Sequence, residues 1–239
     1  MMLTEELVNF AHRVIEDPGP DPALRYQSEQ DYERLLSALL ASHPRREGVW
    51  IFAYGSLLWK PEVEHVASRI GTLRGWHRAF CAQITRFRGS KEQPGLMMSL
   101  DRGGECHGVL LKLPSADRDR QLLALLRREI ILKPSSNVPR WVTVSTGSGP
   151  VRAITFVANR QSPAYVAKLC LDDVAGNLAT ACGHWGSGAE YLYRTVSWLA
   201  SMNIKDRNLW ALQALVAEKI GARLQLLECV ESPPDDTLA

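Results

Sequence analysis

The sequence predicts an α+β protein: a small mixed, barrel-like sheet flanked by helices, with a two-helix extension at the N-terminus. Two observations carry this. From Val49 to about Leu113, short apolar runs of strand length follow one another, punctuated by glycine and proline. Strands and helices alternate only coarsely along the chain, and hairpin-length gaps outnumber crossover-length ones, which disfavours a doubly wound parallel sheet.

In order, residues 4 to 16 place Leu7, Phe10, Ala11, Val14 and Ile15 on one helical face, and Asp17-Pro18-Gly19-Pro20 ends that helix. Ser28 is a ready N-cap for a second helix, with Glu29 and Asp31 at its positive end and Tyr32, Leu35, Leu36, Leu39 and Leu40 as its stripe; His43-Pro44 stops it. The strands follow: Trp50–Tyr54, then 66–73, 78–85, 96–101 and 106–113. A helix is predicted over 116–132, two strands over 141–145 and 151–157 around Thr146-Gly147-Ser148-Gly149-Pro150, and three helices over 165–181, 189–202 and 207–220. A Gly-rich loop, Gly183 to Gly188, separates the first two of these. The expected organisation is an extension over 1–46, a catalytic domain over 47–230 and a tail over 231–239.

Composition bounds the function. Of 239 residues, 46% are hydrophobic and 23% charged, and the formal net charge is +2, so no polyanion-binding surface is foreseen and nucleic acid is not an expected partner. No apolar run reaches the roughly 20 residues that span a bilayer, and the start of the chain is acidic, so a cytoplasmic protein without a membrane span is expected. The five cysteines lack any CxxC pair and read as reduced thiols.

The stretch Trp50 to Trp59, WIFAYGSLLW, reads as a buried strand feeding a tight turn at Gly55-Ser56. Glycine lets a backbone approach a ligand closely, and successive N–H groups in such a turn hold an anion. Glu129 lies at the end of a helix behind Arg127-Arg128 and ahead of Ile130-Ile131-Leu132. The negative end of the helix dipole and an apolar surround both raise a carboxyl pKa, while a neighbouring arginine opposes them. Composition alone leaves open a solvated Glu on a charged face. No phosphate-binding loop and no GxSxG elbow occur, and the six histidines form no metal-binding pair, so neither metal nor cofactor is called for.

FAYGSLLW, the block Gly71 to Cys81 (GTLRGWHRAFC), Gln93-Pro94-Gly95, Arg128-Glu129-Ile130 and Ala189-Glu190-Tyr191-Leu192 together resemble the ChaC-type γ-glutamylcyclotransferases. The resemblance implies a compact fold around a small mixed barrel and conversion of glutathione to 5-oxoproline and cysteinylglycine. It further implies Glu129 as general acid/base, the backbone N–H groups of Tyr54, Gly55, Ser56 and Leu57 as the holder of the substrate's glutamyl portion, and Tyr191 as a substrate hydrogen-bonding group. Arg78 faces either the site or solvent. After Glu129 the sequence departs from the family's Gly-x-Tyr-x-Pro pattern: residues 130–139 form a segment two residues longer, with Asn137 where an aromatic is expected, and this segment lines or borders the pocket. Other γ-glutamyl peptides or amines are the alternative substrates. A non-catalytic regulatory role is the alternative function, because the family's historical name is tied to cation transport.

Overall fold

The computed structural model describes residues 1–42 and 48–231, the side chains of 228–231 excepted. The expected His43-Pro44 helix stop, the boundary at 46/47, the tail beyond 231 and the side chain of Cys229 lie outside the described residues.

Five strands close into a barrel: β1 (Trp50–Ala53), β2 (Ala67–Ile84), β3 (Gly95–Lys112), β4 (Asn137–Thr146) and β5 (Gly149–Ala158), in the order β1-β3-β2-β4-β5. The two hairpins, β2–β3 and β4–β5, are antiparallel, and parallel pairing of Ile51 with Ile154 closes the ring, which makes the sheet mixed as predicted. All four residues of β1 are buried, as a strand covered on both faces requires.

The four short strands expected between 66 and 113 are two strands of 18 residues each. Gly75, Gly103 and Gly104 punctuate them without ending them. Each has positive φ, and the register slips between Arg74 and Trp76 opposite Arg102 and Glu105. Glycine there makes a bulge, which bends and twists a long ribbon toward closure.

Helix α1 (Glu5–Ala11) is capped by the Thr4 hydroxyl, and α2 (Glu29–Ala41) carries the Ser28/Asp31 capping box. α1 is shorter than its periodicity predicts, and Val14 is 95% exposed. Residues 12–28 instead form an irregular, non-helical stretch: Arg13 donates to Gln93 Oε1 at 2.9 Å and to the Thr180 carbonyl at 2.8 Å, and Asp17 accepts two bonds from Arg86 at 2.8 and 2.7 Å. These tertiary contacts outweigh the weak preference of a short isolated helix.

Helix α3 (Arg118–Glu129) ends on Glu129. Helix α4 spans only Leu171–Thr180; the six residues before it are non-helical, with Tyr165 bridging to Ala82 and Lys168 at positive φ. The Gly-rich loop folds as a minimal hairpin, β6 (Cys182–Gly183) and β7 (Gly186–Ser187). It delivers the chain to α5 (Gly188–Ser201), whose N-cap Ser187 accepts from the Glu190 N–H at 3.1 Å. Helix α6 (Arg207–Glu231) runs through Gly221 and past the predicted end at Ile220. α4, α5 and α6 pack on one another, and α1 packs on α5 and α6. Leu192, Val196 and Leu199 of α5 are fully buried there, each contributing roughly 1.5–3 kcal/mol.

The extension is stitched to α6 and to the segment that follows α3. The Met2 and Leu3 N–H groups donate to Gln213 Oε1 at 2.9 and 2.8 Å. The Gln27 N–H donates to the Ile131 carbonyl at 3.0 Å, and the Lys133 N–H to the Arg25 carbonyl at 2.8 Å. Residues 25–27 thereby pair, as a short antiparallel bridge, with the segment that follows Glu129.

Candidate active site

The end of β1 opens into a cavity of about 470 Å³, bordered by the turn Tyr54–Leu57, the C-terminus of α3, the N-terminus of α5 and the β2–β3 ends. Every residue expected to bind or react is on its wall: Tyr54, Gly55, Ser56, Leu57, Glu129 and Tyr191.

The turn is a single 3₁₀ turn, Ser56–Leu58. The Leu58 N–H donates to the Gly55 carbonyl at 2.9 Å, and those of Trp59 and Lys60 to the Ser56 carbonyl at 3.3 and 2.8 Å. The N–H groups of Gly55 and Leu57 take no part in those three bonds, and the Ser56 N–H is directed at the Tyr191 hydroxyl. Glycine at 55 is required by contact. An added Cβ would stand 2.7 Å from Tyr191 Oη, on a rigid ring held edge-on by Trp59 and Phe80 at 5.9 and 6.1 Å.

Arg78 sits in neither of its two expected places. It is buried, donates through Nε to the Tyr54 carbonyl at 2.7 Å, and pairs with Asp206 at 2.9 Å. Asp206 also caps α6 by accepting from the Leu209 N–H at 3.2 Å. The ion pair therefore fixes the backbone just before the turn to the start of the last helix.

Glu129, the last residue of α3, keeps 17% of its side chain exposed, toward the cavity. Burial raises its pKa above the ordinary 4.5; Arg128, 3.3 Å away, pulls it back, and Glu62 adds a smaller upward push. Arg128 is in turn spent on the turn: Nη2 donates to Ser56 Oγ at 2.9 Å and Nη1 to the Lys60 carbonyl at 2.6 Å. Both tyrosines stay protonated. Burial and the nearby Glu129 hold Tyr54 well above its ordinary value and push Tyr191 up to about 12. Tyr54 donates to the Phe156 carbonyl at 2.9 Å.

A profile of the ChaC-like protein family matches residues 49–219. The chain belongs to the ChaC-like family. It is 38% identical over 175 residues to the glutathione-specific γ-glutamylcyclotransferase of Escherichia coli (strain K12), an alignment covering 73% of this chain and 75% of that one. It is 29% identical over 193 residues to glutathione-specific γ-glutamylcyclotransferase 1 of Homo sapiens, covering 77% and 85%. A crystal structure of a yeast γ-glutamyl cyclotransferase specific to glutathione superposes with a TM-score of 0.66 at 21% identity, over 72% of this chain and 97% of that one, a likeness of fold.

In this ChaC-like protein the departure after Glu129 is part of the cavity wall. Ile131, Ser136 and Asn137 line it, and Asn137 Oδ1 accepts from Ser99 Oγ at 2.7 Å. The sequence did not single out Arg88, Arg194, Phe87 or Trp185, which also line it. Glu190 and Arg194 stand four apart on one helix and pair at 2.8 Å, a spacing visible in the sequence. Nothing local marks Arg88, which is brought to Glu190, 102 positions later, only by the fold.

Proposed function

We propose that this protein is a glutathione-specific γ-glutamylcyclotransferase in which Glu129 moves the proton. The observation that carries the reading is a single carboxyl, raised in pKa and partly enclosed, on the same cavity as a Gly turn with N–H groups outside the turn's own bonds. The α-amine of the γ-glutamyl group is protonated in water and must lose a proton to become a nucleophile. Glu129 accepts it; the amine nitrogen then attacks the γ-carbonyl carbon of its own residue. Collapse of the tetrahedral intermediate breaks the bond to the cysteinyl nitrogen, which takes the proton back from Glu129; the ring nitrogen gives up its second proton to the carboxylate so regenerated, and the released amine takes that proton as well and leaves as an ammonium. The five-membered ring leaves as 5-oxoproline and the remainder as cysteinylglycine. Attack within one molecule makes holding the right conformer the main task of the site.

The holding groups are the Tyr54–Leu57 backbone, for the glutamyl carboxylate and the developing oxyanion, and the Tyr191 hydroxyl, which stays a donor because its proton is retained. The same reading divides the chain into an extension over 1–46, a catalytic domain over 47–230 and a tail over 231–239. It makes a small molecule the partner, without nucleic acid. A cytoplasmic location fits, where glutathione is abundant and thiols stay reduced; Cys81, Cys106, Cys170 and Cys182 are free thiols, and no described helix is long and apolar enough to cross a membrane.

The test is to incubate the purified protein with glutathione and with γ-glutamyl-alanine and measure 5-oxoproline. Product from glutathione, lost in Glu129→Gln, supports the reading. No product from either substrate, or full activity in the variant, overturns it.

A further inference from the structure

The cavity wall carries one more cation than carboxylate: Lys60, Arg88, Arg128 and Arg194 against Glu62, Glu129 and Glu190. Glutathione, with one ammonium and two carboxylates, has net charge −1, and its glycyl carboxylate is not accounted for by the turn or by Glu129. The four cations are not equally available. Arg128 is consumed by Ser56, Lys60, Glu62 and Glu129, and Lys60 is paired with Glu62 at 2.9 Å.

Arg88 and Arg194 differ from these two. Both hold Glu190: Arg88 Nη1 donates to Oε2 and Arg194 Nε to Oε1, each at 2.8 Å. Arg88 Nη1 also donates to the Ser187 carbonyl at 2.8 Å. Among the described residues, Arg88 spends no nitrogen but Nη1 on a protein partner, and Arg194 none but Nε. Yet the Arg88 side chain is only 8% exposed, and what it exposes borders the cavity. A buried guanidinium with unspent N–H groups beside an open cavity is poised for an anion, and its planar fork suits a carboxylate.

Position selects which carboxylate. Arg88 Cζ lies 5.6 Å over the Tyr191 ring and Arg194 Cζ 5.5 Å over the Trp59 ring, so the two cations stand over ring faces, whereas the Tyr191 hydroxyl at the ring's tip meets the Ser56 N–H and Gly55. A tripeptide extends about 10 Å, enough to run from the turn, past these rings, to the two guanidinium groups.

We propose that Arg88 and Arg194, bridged by Glu190, are the receptor for the terminal carboxylate of the leaving dipeptide, and that they select γ-glutamyl peptides ending in a free carboxylate over γ-glutamyl amines. Glu190 is the positioning group that holds both arginines in place and leaves a net positive charge facing the substrate. This rests on the cyclotransferase reading and names the far end of the same substrate.

The experiment compares glutathione with its C-terminal amide, which differs only in that charge. On the wild-type protein, kcat/KM for 5-oxoproline formation should be about ten- to hundredfold lower for the amide, with the loss in KM. Arg194→Gln, at a side chain 54% exposed, should lose a similar factor on glutathione and nothing on the amide. Arg88→Lys, which keeps the charge and loses the fork, should narrow the discrimination part of the way. Titration calorimetry of both ligands on the Glu129→Gln protein repeats the comparison without turnover. Equal handling of the two ligands by the wild-type protein, or equal weakening of both by Arg194→Gln, overturns the receptor. Absence of 5-oxoproline with the calorimetric preference intact instead overturns the cyclotransferase reading and leaves the receptor standing.

Discussion

Glu129 closes a helix, so the residue proposed to move the proton also meets the negative end of the α3 dipole and a desolvating wall. As a base it acts only when ionised. The acid limb of kcat/KM should therefore lie above pH 4.5, the ordinary value, and Glu129→Gln should lower kcat about 10²–10⁴-fold while leaving the fold intact. A second consequence is read in stability. Between the ordinary and the raised pKa the native state keeps a proton that the unfolded chain has lost, so stability is full below that window and falls as pH rises through it. Glu129→Gln removes the fall: in thermal unfolding the variant should exceed the wild-type protein near neutral pH and match it in mild acid. Of the site, the position of Glu129 at a helix end beside apolar residues was legible from its neighbours, whereas the role proposed for it came from the family resemblance, since the same neighbours also suit a solvated Glu on a charged face. Arg78 and Arg88 were not legible, because what makes them matter, the Tyr54 carbonyl and Glu190, comes from 24 and 102 positions away.

Between elements, the contact of the turn with α5 decides how tightly the site is built. Gly55→Ala drives a methyl into the Tyr191 hydroxyl and should cost about 1–3 kcal/mol by chemical denaturation, with activity lost. In a Tyr191→Phe background the same substitution should cost about 1 kcal/mol less, since the clashing atom is gone. Arg78→Met, by leaving Asp206 without its cation and the Tyr54 carbonyl without its donor, should cost about 3 kcal/mol. Most elements were legible in type from periodicity, and boundaries failed for identifiable reasons. Glycines read as strand ends are bulges inside continuous strands. The 12–16 stretch has a helical pattern, but Arg13 and Asp17 find better partners on Gln93, Thr180 and Arg86.

Across the whole molecule, the extension is part of the packed body. Leu3 and Val8 are buried, and α1 lies against α5, the helix that carries Glu190, Tyr191 and Arg194. Removing residues 1–12 should lower the unfolding temperature by roughly 10 °C in calorimetry, from the apolar side chains uncovered on both partners. The mixed barrel was legible as a class from hairpin-length gaps, whereas its closure through Ile51 and Ile154 depends on pairing between strands about a hundred residues apart, which no local pattern encodes.

The bridge between residues 25–27 and 131–133 reaches beyond this chain. The family-matched stretch 49–219 is not an interchangeable cassette, because the segment that follows Glu129 is registered against a bridge contributed from outside it. A chimera that takes 49–219 from a relative with a shorter segment there, while keeping this chain's first 48 residues, would join two halves cut to different lengths. Exchanging 25–27 together with 130–139 should restore the fit, so the two segments are best treated as one unit of inheritance.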